Sequence, residues 1–301
     1  MPAGHNTMSR APEKVLQSVF GYDGFRPHQE EIIDGIMAQR DAFVLMPTGG
    51  GKSLCYQVPA LCLPGTVIVV SPLISLMKDQ VDALQANGVS AACYNSSLGE
   101  QAARELLAKF HAGDLDLLYV APERLMSASF LARLEEVELS LFAIDEAHCV
   151  SQWGHDFRPE YVQLGELRAR FPDVPMAAFT ATADPQTRAD IIQRLRLQQP
   201  DIYVTGFDRP NIRYAALEKS KPFEQLTSFL GRHAGEAGIV YAMSRKRVEE
   251  LAGKLQIAGV RALPYHAGLP AAQRQDAHEQ FMRDEVDVVV ATVAFGMGID
   301  K

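Results

Sequence analysis

Short runs rich in Val, Leu and Ile recur along this chain at Ala42–Met46, Thr66–Val70, Leu115–Val120, Leu139–Ile144 and Met176–Thr180, and the pattern resumes at Gly238–Ala242 and Val286–Ala291. A strand with one face in water alternates apolar and polar residues, so an unbroken run implies that both faces are covered. The stretches between the runs are long enough for helices, and parallel strands require such crossovers. The pattern therefore predicts an α/β fold with mainly parallel sheets. Pro27 is placed to open a helix with the apolar stripe Ile32, Ile33, Ile36 and Met37, because proline at the first helical position loses no bond it needs. Another helix is expected over Leu76–Gln85, stopped by Asn87-Gly88, and a third carries Val248, Leu251 and Leu255 and closes at Gly259. The rhythm breaks near Gly206-Phe-Asp-Arg-Pro-Asn211, which predicts a first domain over 1–206 and a second over 207–301.

The net charge of −8 provides no global attraction to nucleic acid, so any phosphate-binding surface must be a local basic strip on an acidic body. No apolar run approaches the roughly 20 residues that cross a bilayer, and the N-terminus lacks a secretory pattern. The expectation is a cytoplasmic protein with no membrane partner. Cys55, Cys62, Cys93 and Cys149 are scattered and form no C-x2-C pair, so they read as reduced buried residues, with no zinc expected in this segment.

Directly after the run Ala42–Met46 stands Met46-Pro-Thr-Gly-Gly-Gly-Lys-Ser53. Glycines let a backbone curl until several N–H groups converge on a phosphate, and a following helix presents its positive end. Thr48, Gly49, Gly50 and Gly51 would form this cradle, Lys52 would reach the β- and γ-phosphates, and the Ser53 hydroxyl would ligate magnesium. The general pattern wants glycine where Met46 stands, and a glycine-rich turn with a solvated lysine is the plainer alternative. The run Leu139–Ile144 then delivers Asp145 and Glu146 to its carboxyl end. Asp145 would hold magnesium and Glu146 would orient or deprotonate the attacking water. Neither role needs a tuned pKa, so no bell-shaped pH profile is expected. His148 admits catalytic, metal-ligand or hydrogen-bonding roles, of which a link between the nucleotide site and the nearby loop is preferred. Upstream, the Gln29 amide has a donor and an acceptor that can match adenine, with Tyr22 and Arg26 near the base, although a structural role for this stretch competes.

Taken together these segments resemble superfamily 2 helicases and, within them, the RecQ family of DNA helicases. The resemblance runs from Phe20-Gly-Tyr-Asp-Gly-Phe-Arg-Pro-His-Gln29 onward and implies two RecA-like P-loop domains, the second incomplete. It implies that Gln29 reads adenine in a pocket built with Tyr22 and Arg26, and that the family tolerates a non-glycine such as Met46. Ser71-Pro-Leu-Ile-Ser-Leu-Met-Lys-Asp-Gln80 and Ala121-Pro-Glu-Arg124 resemble segments that touch the nucleic-acid backbone, which puts Ser71, Lys78 and Arg124 near that track; Lys78 reads equally well as a solvated face residue. Phe179-Thr-Ala-Thr-Ala183, with Thr180 and Thr182, resembles the motif that couples the nucleotide site to the second domain. Tyr265-His-Ala-Gly-Leu269 and Ala291-Thr-Val-Ala-Phe-Gly-Met-Gly-Ile-Asp300 fit later motifs, with Asp300 as the expected nucleotide-site residue of the second domain.

Cys149-Val-Ser-Gln-Trp-Gly-His-Asp-Phe-Arg-Pro-Glu-Tyr161 resembles the aromatic-rich loop that separates RecQ proteins from most of the superfamily. Trp153 and Phe157 offer stacking faces and Arg158 a phosphate or cation–π contact, against the alternative that the aromatics pack inward. The resemblance implies ATP and Mg2+ as cofactors and single-stranded and partially duplex DNA as partners. It further implies movement 3′ to 5′ in recombination and repair, and contact with single-stranded-DNA-binding protein through regions outside this segment. Those regions would also carry any zinc. The motif whose arginines reach the γ-phosphate does not follow Lys301, so this segment is expected to bind ATP and DNA but to hydrolyse slowly and fail to unwind. The last run, Val286–Ala291, is expected to leave an edge or apolar face exposed. An RNA-directed ATPase of the same superfamily and a non-catalytic nucleic-acid-binding fragment are the alternatives.

Overall fold

In a computed structural model, which describes residues 11–95, 98–154, 156–206, 212–293 and 295, the chain divides into two compact units, Met1–Asp208 and Arg209–Lys301. The first unit opens with helices α1 (Pro12–Phe20) and α2 (Gln29–Met37), then strand β1 (Ala42–Leu45), α3 (Leu54–Ala60), β2 (Thr66–Val70), α4 (Ile74–Ala86) and β3 (Ala91–Tyr94). It continues through α5 (Glu100–His111), β4 (Leu117–Val120), α6 (Pro122–Leu125), α7 (Ala128–Leu134), β5 (Leu139–Ile144), α8 (Pro159–Val162) and α9 (Leu167–Arg170). It ends with β6 (Met176–Thr180), α10 (Pro185–Arg194) and β7 (Asp201–Val204). The second unit contains α11 (Pro222–Arg232), β8 (Gly238–Tyr241), α12 (Arg245–Ile257), β9 (Ala262–Tyr265), α13 (Ala271–Met282) and β10 (Val288–Ala291).

Seven strands of the first unit form one parallel sheet in the order β3-β4-β2-β5-β6-β1-β7, and the second unit has a parallel sheet in the order β8-β10-β9. Alternate residues of the central strands supply two cores. Phe43, Ile68, Val70, Val120 and Ile144 pack on the side that also holds Phe110, Phe130 and Tyr161. Val44, Val67, Val69, Tyr119 and Ala143 pack with Ile32, Ile36, Tyr56 and Met77 on the other. Burying each such aliphatic side chain contributes about 1.5–3 kcal/mol, which explains why the unbroken runs marked these strands.

Two expectations need correction. Pro27 does not open α2. His28 takes a left-handed conformation (φ 68°), the Gln29 N–H donates to the Arg26 carbonyl (3.1 Å), and the helix begins after that turn. Pro27 thus fixes a turn that aims Arg26 and Gln29. Nor is the run Val286–Ala291 an exposed edge. Its core, β10, is buried in the middle of the second sheet, and the edges are β8 and β9.

At the amino end of the large sheet, Asp41 and Arg168 form a buried pair. Nη2 of Arg168 donates to both Asp41 carboxylate oxygens, at 2.7 and 2.5 Å. Asp41 also accepts from the backbone N–H groups of Met176 (2.8 Å) and Gln198 (2.6 Å), while Arg168 Nη1 donates to the carbonyls of Pro172 and Val174. One carboxylate therefore anchors the entries to β1 and β6 and the turn before β7.

Candidate nucleotide site

Because the strands of the large sheet are parallel, their carboxyl ends share one edge, where open α/β sheets place ligands. β1 delivers the loop Met46–Ser53 there, and β5 delivers Asp145 and Glu146. Met46 is buried in the core, and its N–H donates to the Thr180 carbonyl (3.1 Å). The position where the general pattern wants glycine therefore faces inward, and the methionine occupies no phosphate space.

Gly49 (φ 74°) and Gly51 (φ 81°) take conformations that L side chains rarely adopt. A Cβ on Gly50 would stand 2.9 Å from the Pro47 carbonyl oxygen, and one on Gly51 would overlap the Gln29 amide. Lys52 lies folded over this loop, its Nζ donating to the carbonyls of Met46 (3.3 Å) and Pro47 (3.5 Å). Both bonds are long and easily exchanged for a phosphate oxygen. Ser53 is half-buried at the entry to α3, and Thr48 lies in the loop itself.

Gln29 is only 1% exposed. Its Oε1 accepts from the Arg26 N–H (2.8 Å) and its Nε2 donates to the Gly51 carbonyl (3.0 Å), while Arg26 Nη1 donates to the Gly49 carbonyl. Both residues brace the phosphate loop. Tyr22 is exposed.

Asp145 is 9% exposed, and its Oδ1 accepts from the Glu146 N–H (3.0 Å). Burial raises its pKa to about 7, and the neighbouring Glu146 charge adds to the rise while Lys52 opposes it. A buried carboxylate beside a second one is disfavoured as an anion until a cation joins it. Such a carboxylate, with the Ser53 hydroxyl and phosphate oxygens, suits magnesium, which takes few protein ligands. Among the described residues no group of three His, Cys, Asp or Glu could hold a metal by itself.

Glu146 adopts a left-handed conformation (φ 48°), uncommon for a non-glycine residue and frequent at functional sites. The turn sends its carboxylate to His148, with Oε2 3.2 Å from Nδ1. The same Nδ1 lies 3.0 Å from the Thr180 hydroxyl, which in turn contacts the Thr182 carbonyl and N–H, each at 3.2 Å. With the proton on Nδ1, His148 donates to Glu146 and Thr180, and Thr180 donates to the Thr182 carbonyl. Both His148 and Thr180 are buried, whereas Thr182 is exposed.

The expected nucleic-acid residues are distributed unevenly. Trp153 is 65% exposed in the loop after His148, and Phe157 of the same segment is half-buried. A Cβ on Gly154 would overlap the His148 carbonyl, so the loop packs directly on the Glu146–His148 turn. Arg158 is engaged internally. Its guanidinium donates to Asp156 (2.9 and 3.2 Å) and to the Pro72 carbonyl (2.8 Å), which ties the aromatic-rich loop to the segment after β2. Ser71 is 1% exposed, so its side chain presents nothing to a ligand in this structure. Lys78 is exposed on α4, and Arg124 lies over the Tyr94 ring (5.2 Å). Asp300 lies outside the described residues. Sequence reasoning missed Tyr161, whose fully buried hydroxyl donates to the Asp145 carbonyl (3.2 Å). The signal available was a tyrosine closing the aromatic-rich segment.

Comparisons with known proteins agree with this geometry. The DEAD/DEAH box helicase family model matches residues 26–191, and the helicase conserved C-terminal domain model matches 221–301. The chain is 54% identical over 287 residues to the ATP-dependent DNA helicase RecQ of Pasteurella multocida, covering 95% of this chain and 45% of that protein. Identity to the RecQ of Bacillus subtilis is 44%, over 98% of this chain and 50% of that protein. The chain thus spans about half the length of these relatives. Among solved structures, the Mycobacterium smegmatis helicase Lhr bound to ssDNA and AMP-PNP shares the fold, with a TM-score of 0.72 at 20% identity over 97% of this chain and 42% of that one. Saccharomyces cerevisiae dbp5 does so with a TM-score of 0.68 at 16% identity over 96% of this chain and 75% of that one. A phosphate loop braced by Gln29, an acidic pair at the end of β5 and an aromatic loop seated on its turn thus occur in a chain that belongs to the RecQ family of DEAD/DEAH-box helicases and spans its motor region.

Proposed function

We propose that this chain is the motor of an ATP-dependent DNA helicase, coupling ATP hydrolysis to 3′-to-5′ movement along single-stranded DNA during recombination and repair. The observation that carries this reading is the direct seat of the Trp153 loop on the Glu146–His148 turn, which puts a loop with an exposed tryptophan in contact with the turn that carries the carboxylate.

In this reading Lys52 leaves the Met46 and Pro47 carbonyls for the β- and γ-phosphates, while backbone N–H groups of Thr48–Ser53 hold the phosphate chain. Ser53 and Asp145 would hold magnesium, which neutralises phosphate charge when bound. Glu146 orients water and accepts its proton, and His148 fixes the direction in which that carboxylate points. Tyr22 lies open to a base, and Gln29 reads it by exchanging one of its backbone partners. DNA lies along Trp153, Lys78 and Arg124 through stacking and phosphate contacts, which bind with little sequence preference.

The test is steady-state ATP hydrolysis with and without single-stranded DNA, and with single-stranded RNA in a parallel arm. Slow turnover that DNA stimulates and Glu146→Gln abolishes is expected. Equal stimulation by RNA would replace the DNA reading with an RNA-directed one, and turnover indifferent to either polymer would sink the coupling.

A further inference from the structure

Gln57 lies one turn inside α3, where its N–H donates to the carbonyl of Ser53 (2.9 Å), the last residue of the phosphate loop. Its side chain is buried. Nε2 donates both of its hydrogens, one to Oη of Tyr119 on β4 (3.1 Å) and one to Oε1 of Gln80 on α4 (3.0 Å). Tyr119 is a fixed point: it is 1% exposed in the sheet core, and burial raises its pKa well above the ordinary value and keeps it neutral. Gln80 is only half-buried, two residues beyond Lys78 on the same helix. The core beside this contact is apolar, with Cys55, Val69 and Met77 among its members, and an apolar side chain of similar size would fill the space. A buried amide is tolerated there because both hydrogens are accepted, but packing alone does not require it.

The bond also has a particular place in the fold. α4 follows directly on the segment whose Pro72 carbonyl accepts from Arg158 of the aromatic-rich loop. The helix carrying Lys78 is therefore held from two directions, by Arg158 before its first turn and by Gln57 from the helix that follows the phosphate loop.

We propose that the Gln57–Gln80 hydrogen bond is a coupling contact, through which the position of the phosphate-loop helix α3 sets that of the DNA-facing helix α4. Gln57 and Gln80 act as positioning residues, and the bond is a discrete link that is either made or broken as α3 shifts with nucleotide. The inference rests on the ATPase and DNA-binding roles proposed above.

Gln80→Met removes the acceptor at nearly constant volume, Gln80→Glu keeps an acceptor oxygen, and Gln57→Met removes the donor. ATP turnover with saturating single-stranded DNA and without DNA is measured for each, with thermal midpoints alongside. For Gln80→Met and Gln57→Met the ratio of DNA-stimulated to DNA-free turnover is expected to fall roughly tenfold, within the usual range of coupling between sites. The double variant should be no worse than either single one, and Gln80→Glu should keep the parental ratio. A parental ratio in Gln80→Met overturns the proposal, as does equal impairment of Gln80→Met and Gln80→Glu. Absence of DNA stimulation in the parental protein overturns the proposed function itself and the coupling role with it, an outcome visible before any variant is compared.

Discussion

The Nδ1 of His148 stands 3.0 Å from the hydroxyl of Thr180 and 3.2 Å from a carboxylate oxygen of Glu146, so one buried ring joins the ends of β5 and β6. Removing the ring frees the Glu146 carboxylate to turn and leaves Thr180 without that partner. His148→Ala should lower kcat for DNA-stimulated ATP hydrolysis by about 10- to 100-fold, the scale of a lost coupling of 1–3 kcal/mol, with KM for ATP changed far less. Thr180→Val should show the same pattern more weakly. A rise in KM at constant kcat would place His148 in nucleotide binding instead.

Glu146 is held by its left-handed backbone and by His148, and the proposed function gives it the task of directing water. Glu146→Gln preserves size and most hydrogen bonding but removes the proton acceptor. Turnover is expected to drop roughly 10²- to 10⁴-fold, the usual worth of a positioned general base. Nucleotide affinity, read by fluorescent-nucleotide titration, should stay within a few-fold of the parental value. Parallel loss of affinity would show that the carboxylate is structural.

Asp145 makes stability fall with rising pH. Its folded-state pKa of about 7 lies above the ordinary value of 3.8, so between these two the folded chain binds more protons than the unfolded one. Its contribution is therefore most favourable below about pH 4, declines as pH rises toward 7 and then levels off. In metal-free buffer, Asp145→Asn should raise the thermal midpoint more at pH 8 than at pH 5.5. An equal gain at both values would mean that the carboxylate is not the titrating group.

Legibility in the sequence followed burial. β2, β5 and β6 are bounded to the residue because both faces of each strand are covered, and that environment favours runs rich in apolar residues. β3, β7 and β9 are edges that carry no continuous apolar run: Ala91-Ala-Cys-Tyr94 is short and small, Asp201-Ile-Tyr-Val204 opens on a charge, and Pro264 interrupts the last, whereas the edge strand β8 keeps such a run and is legible. In the site, Lys52, Asp145 and Glu146 were legible because their chemistry depends on position just after a strand. The bond from Gln29 to the Gly51 carbonyl was not, since it links segments 22 residues apart through a backbone atom that carries no side-chain signature. Ser71 shows the converse, for its motif pointed to DNA while the fold turns its hydroxyl inward.

The pair least visible in the sequence has the largest expected effect on stability. Asp41 and Arg168 are 127 residues apart and meet at the sheet edge opposite the nucleotide loop. Both side chains are buried, and Asp41 additionally satisfies the N–H groups of Met176 and Gln198. Removing one partner leaves a buried charge and orphaned backbone donors, which typically costs 3–5 kcal/mol. Arg168→Met should therefore lower the urea midpoint by an amount corresponding to roughly that range, and Asp41→Ala at least as much, because it strips two backbone bonds as well. Folded protein at low temperature should retain its affinity for nucleotide in both variants, since neither residue reaches the phosphate loop. Replacing both together with apolar residues should recover part of the loss, because the penalty comes mainly from the unpaired partner. A double variant as unstable as the sum of the singles would instead mean that the two residues act independently.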